Sequence, residues 1–183
     1  MRKAFAVAAL NILAVGCAQH SAPPSATSNT TATPAASSAA PAAAPVPGDL
    51  TGASVTLSAN YPTQAVVFTN VVNGTVPVHW SEGALHSVTG RLVQVNAEFD
   101  VAPTQVTETF LMNARLGQGT FNGPVYKFQG APKIAKVTFN PQQSDPSVAP
   151  TGISFTDDSI SVNDSGVNVT NGAKQVLDVT FAQ

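Results

Sequence analysis

Val93-Gln94-Val95-Asn96-Ala97-Glu98-Phe99-Asp100-Val101 decides how this chain folds, because apolar and polar side chains alternate without a break across nine residues. Strict alternation puts every apolar group on one side of an extended chain, whereas a helix would spread the same groups around its circumference. The stretch reads as a strand with one dry face. Just downstream, Val106, Glu108, Phe110 and Met112 keep the same period, against a milder face of Thr107, Thr109 and Leu111. The even residues are therefore assigned inward, with Glu108 an exception that the pattern leaves unexplained. Upstream, Val88 and Leu92 sit in the other register, which predicts a bulge at 90–93.

The same period extends outward. Val55, Leu57, Ala59 and Tyr61 alternate with Ser54, Thr56, Ser58 and Asn60. Further strands are expected at 65–72, 75–80, 125–128, 134–139, 152–156, 159–162, 167–170 and 175–182. Asn73-Gly74 and Asn171-Gly172 read as hairpin turns, since Asn and Gly tolerate the backbone of a tight reversal. Asn122-Gly123-Pro124 and Asp164-Ser165-Gly166 are turns of less definite type. Residues 49–183 hold 20 Val and 15 Thr, β-branched types suited to a pleated surface. Val, Ile, Leu and Phe make up 28% of that region, above the roughly 20% below which chains stay disordered. The fold class that follows is all-β: an antiparallel β-sandwich with Greek-key connections, immunoglobulin-like arrangements leading and a small closed barrel competing.

Composition narrows the function. A length of 183 residues allows one ordinary domain with additions. Eight basic against ten acidic side chains leave no basic field for nucleic acid. A single cysteine, Cys17, excludes a disulfide framework and a multi-thiolate zinc site.

The N-terminal part reads as an address followed by a tether. Met1-Arg2-Lys3 precedes an apolar run over 4–15 broken only by Asn11, the layout of an export leader. Twelve residues fall short of the ~20 a spanning helix needs. The run ends in Ala14-Val15-Gly16-Cys17, which resembles the lipobox of bacterial lipoproteins, although that family prefers Leu where this chain has Ala14. The resemblance implies that 1–16 is a signal peptide and that Cys17 becomes the acylated first residue, anchored in a bilayer of the cell envelope. Ala18 in place of Asp implies outer-membrane sorting if the source is Gram-negative. The competing reading is ordinary leader cleavage after Gly16 and secretion. Acylation would also remove the reactive thiol that an exported chain with one cysteine otherwise carries. Over 18–48, 26 of 31 residues are Ala, Pro, Ser or Thr and none is charged, so with Cys17 the segment 17–48 reads as a disordered spacer.

Candidate chemistry in 49–183 is sparse. His79, Trp80, Glu82 and His86 form the densest group of functional side-chain types. They read as a buried or rim aromatic flanked by solvated histidines, against a metal site, a Trp80 contact for sugar or peptide, or a hydrolase site around 79–86. Asp157, Asp158 and Asp164 read as turn-forming, solvated acids, against oxygen ligands for calcium in an ion-stabilised sandwich. Glu98 and Glu108 read as solvent-facing or edge charges, against a carboxylate pair for glycoside cleavage. No Gly-x-Ser-x-Gly elbow occurs, and Gly117-Gln118-Gly119 lacks what a phosphate cradle requires. The expectation is a non-enzymatic binding or interaction domain that needs no cofactor, with an envelope protein, peptidoglycan or another glycan as its partner.

Overall fold

The structure, a computed structural model, describes residues 48–88 and 95–183. The leader, Cys17, most of the spacer and the bulge expected at 90–93 lie outside the described residues. The strands are β1 (Ser54–Asn60), β2 (Val72–Thr75), β3 (Val78–Trp80), β4 (Ala97–Val101), β5 (Gln105–Phe110), β6 (Ala114–Arg115), β7 (Gly123–Gln129), β8 (Ile134–Phe139), β9 (Gly152–Phe155), β10 (Ser159–Asn163), β11 (Asn168–Val169) and β12 (Lys174–Phe181). A short 3-10 turn, Pro146–Val148, interrupts them, with the Asp145 carboxylate accepting from the Ser147 amide at its start.

Two five-stranded antiparallel sheets pack face to face, one in the order β2-β1-β7-β10-β9 and the other β3-β4-β5-β12-β8. β6 and β11 form a small separate ribbon. The chain passes between sheets at β2–β3, β5–β7, β7–β8, β8–β9 and β10–β12, so that β7 lies beside β1 and β12 beside β5. These crossovers are the Greek-key manner of joining strands distant in sequence. Each sheet ends in edge strands, and the competing closed barrel is excluded.

Alternation explains which faces meet. Ala97, Phe99 and Val101 of β4 are buried, and so are Val106, Glu108 and Phe110 of β5. Ala97, Phe99, Val101 and Val106 pack against Val55 and Leu57 of β1 and Tyr126 and Phe128 of β7 in one core. A smaller cluster of Phe110, Val148, Val167, Val169 and Ala173 fills one end.

Three local expectations are corrected. In β1 the buried side changes after Leu57, to Ser58 and Asn60 in place of Ala59 and Tyr61. The segment following β1 folds back over it, bridging Asn60 to Val67, and supplies the Gln64 carbonyl that accepts from Asn60 Nδ2 at 2.6 Å. That same segment was expected as a strand over 65–72. It forms isolated bridges and joins a ladder only at Val72, burying Thr69 but leaving Val66, Val67 and Val71 exposed, and β-branched side chains gain little where they are not covered.

Asn73-Gly74 is not a turn. Both residues lie inside β2, opposite Thr56 and Val55. Gly74 answers a close approach: a Cβ there would stand 2.5 Å from Val78 Cγ2 and 3.1 Å from Trp80 Cζ2. Asn171-Gly172 does turn, with Gly172 at φ 85° and its amide donating to the Phe110 carbonyl at 2.7 Å, but β11 and β12 on either side lie in different sheets and form no hairpin. Gly74→Ala is accordingly expected to lower stability by about 1–3 kcal/mol through overpacking against a stiff valine. Urea unfolding of the purified variant measures this, and an unchanged midpoint would contradict the packing described.

Candidate functional site

Pairing across the second sheet sets Trp80, Phe99, Glu108 and Gln175 in one inward-facing row, each opposite the next. Glu108 is thus carried inside by its neighbours, 6% exposed on a central strand. The edge-charge or solvent-facing reading of Glu108 is therefore wrong. Glu98 lies opposite Thr109 and not in that row, so it faces the other side of the sheet and forms no pair with Glu108.

The acid that does meet Glu108 is Asp164, at the end of β10. Its amide donates to the Asn122 carbonyl at 2.7 Å, and its Oδ1 accepts from Gln175 Nε2 at 2.8 Å. The same Gln175 nitrogen donates to the Val148 carbonyl at 2.7 Å. Asp164 is 1% exposed, so the expectation of a solvated turn acid is corrected too. Gly123 makes room for it: a Cβ at that position would clash with the Val162 carbonyl oxygen and stand 2.9 Å from Asp164 Oδ2.

Glu108 Oε2 and Asp164 Oδ2 are buried and have no hydrogen-bond partner. Both residues line a cavity of about 190 Å³ at the end of the sandwich where β1 and β5 finish and β4 and β7 begin. Its walls are mostly apolar, including Phe99, Phe110, Met112 and Leu116, with Tyr61 and Phe68 edge-to-face 6.0 Å apart. Burial, then the charge of Asp164, pushes the Glu108 carboxyl well above its ordinary range. Burial pushes Asp164 up to about 7, against the hydrogen bond from Gln175, which pulls it down. The Tyr126 phenol is raised by burial and then by the charges of Glu108, Asp164 and Asp100. Two acids in one low-dielectric space share protons or hold a cation between them.

The other expected residues are dispersed. Trp80 is 8% exposed and part of the core, which corrects its reading as an exposed contact for sugar or peptide. His79, Glu82 and His86 are exposed, and the His86 backbone is held by Asn70. His79 stands opposite Asp100 in the β3–β4 ladder, Nδ1 to Oδ1 2.8 Å, and Ser81 Oγ lies 3.4 Å from its Nε2. The order Ser-His-Asp is that of a hydrolase triad, but both the histidine and the aspartate are about half exposed. Asp157 pairs with Lys133 at 2.8 Å and Asp158 accepts from Thr156 at 2.8 Å, both before β10 begins, whereas Asp164 follows its end. A five-residue strand spans roughly 17 Å, so the three do not converge on one calcium ion. Among the described residues no group of three or more His, Cys, Asp or Glu stands close enough to hold a metal.

Glu108 itself was the legible signal for this site, an acid in the dry register of a strand. Nothing in the spacing of Asp164 announces its partner 56 positions earlier. No protein-family model, curated protein or solved structure matches the chain.

A pH dependence follows. Carboxyls whose folded pKa lies above the unfolded value bind more protons in the native state between the two. Their stabilising contribution is complete below the unfolded value near 4 and disappears as pH rises through about 7 for Asp164. The melting temperature is expected to be higher at pH 5 than at pH 8. Glu108→Gln is expected to raise it at pH 8 and to shrink the difference. Thermal melts of both proteins at the two pH values check this, and an acid-destabilised wild type would contradict the geometry.

Proposed function

We propose that this chain is a lipid-anchored lipoprotein of the bacterial cell envelope, and that its β-sandwich is a non-enzymatic binding module whose ligand site is the cavity between Glu108 and Asp164. The anchor rests on the basic start, the apolar run and Ala14-Val15-Gly16-Cys17. Acylation at more than one position holds such a protein stably where a single chain does so only marginally. The uncharged Ala/Pro/Ser/Thr-rich spacer then sets the module away from the bilayer, about 30 Å as a coil and more where its prolines extend it.

The observation that carries the binding reading is that Glu108 and Asp164, each with a buried carboxyl oxygen that has no partner, line an apolar cavity. Each such atom costs about 1–3 kcal/mol of stability. An occupant that satisfies these oxygens would offset that cost. The partner belongs to the envelope: a small molecule, a glycan or a protein segment that reaches the cavity.

Cys17→Ser tests the anchor. The variant is expected to leave the membrane fraction, or to accumulate uncleaved, and to lose radiolabelled palmitate. Identical fractionation and maturation would remove the lipoprotein reading in favour of a secreted protein.

A second reading, a hydrolase, draws on the Ser81, His79 and Asp100 contacts alone. A fluorophosphonate probe is expected to leave Ser81 unlabelled. Labelling that His79→Ala abolishes would replace the binding module with an enzyme.

A further inference from the structure

The geometry points to a small primary ammonium bearing an apolar group as the cavity's ligand, its head on Glu108 Oε2 and Asp164 Oδ2 and its body against the aromatic wall. This rests on the cavity being the module's ligand site.

Size limits the body. The cavity measures about 190 Å³. An enclosed apolar space of about 150 Å³ admits a benzene ring, so one ring or a short alkyl chain fits with room for a head group. A whole sugar or peptide does not, although the end of a longer molecule does.

Charge and bonding select the head. Ionised carboxylates only accept hydrogen bonds, and an ammonium only donates, with three protons to place. Two of these satisfy the oxygens left without partners. A positive charge also relieves the repulsion between the two acids and is drawn to the faces of aromatic rings such as Phe99 and Phe110. A neutral apolar ligand would leave both oxygens as they are. Calcium takes six to eight oxygens and magnesium keeps a shell of water, and neither suits two carboxyls in a mostly apolar chamber. An anion meets the wrong sign.

The test is calorimetric titration of the purified protein at pH 8 with benzylammonium, benzyl alcohol and calcium chloride. Benzylammonium is expected to bind, with benzyl alcohol about tenfold weaker or worse, as losing a charge-assisted hydrogen bond implies. Glu108→Gln is expected to weaken benzylammonium about tenfold and to leave benzyl alcohol unweakened. Equal binding of amine and alcohol would overturn the ammonium assignment while keeping the cavity as a binding site. Heat from calcium with none from benzylammonium would overturn it in favour of a metal ion. Silence from all three up to about 10 mM, a Kd near the weak limit of specific binding, would overturn the cavity reading as well. Should Glu108→Gln fail to fold, the contrast between amine and alcohol on the unaltered protein decides, supported by Asp164→Asn.

Discussion

β5 cannot shift by one residue, and much of the molecule depends on that. It is the middle strand of its sheet, hydrogen-bonded to β4 on one side and β12 on the other. A slip would carry Val106 and Phe110 out of the core and Thr107 and Thr109 into it, reversing every face of the strand. Burial of one large apolar side chain contributes about 1.5–3 kcal/mol, and two of them outweigh the desolvation of one protonated carboxyl between them. Glu108 is therefore held inside by residues that have no interest in its charge.

From that forced burial the rest of the site follows. Gln175, opposite Glu108 on β12, reaches Asp164 and ties it to the Val148 carbonyl. Gly123 leaves the space in which Asp164 sits. The cavity lies at this end, lined by residues of the main core such as Phe99 and by Phe110, Met112 and Leu116 of the smaller cluster. A protein shaped for stability alone would close it with one more aliphatic side chain in place of the glutamate. Keeping acids there lowers stability, the usual relation between a functional site and the scaffold that bears it.

The fold was legible wherever one face of a strand is buried and the other wet. β5, β9, β10 and β12 lie where alternation or β-branched content places them, β4 takes up only the Ala97–Val101 end of the 93–101 alternation, and the sandwich follows from their number and spacing. Sequence failed where a local signal had two causes. Gly74 is adjacent to Asn73 and so imitates a hairpin turn, yet its missing Cβ accommodates Val78 and Trp80 from the next strand. Val66, Val67 and Val71 have strand propensity but are left uncovered. At the site, Glu108 was visible as a break in a pattern. Asp164 was not, because a turn acid looks the same in sequence whether it meets water or another carboxyl.

Magnitude separates the two places where acids gather. His79 and Asp100 meet about half in water, where opposite charges ~4 Å apart attract by about 1 kcal/mol and exposed pairs contribute 0–1 kcal/mol to stability. In surroundings of effective dielectric near 20, the same separation is worth about 4 kcal/mol. Glu108 and Asp164, almost wholly buried, belong to the second regime, where a charge on either is screened far less than at the surface. A group that both raises the pKa of its neighbour and leaves an oxygen unbonded is poised to take a positive charge in exchange for a proton. The exposed histidine pair has water on hand for either task, and so has far less to gain from a ligand.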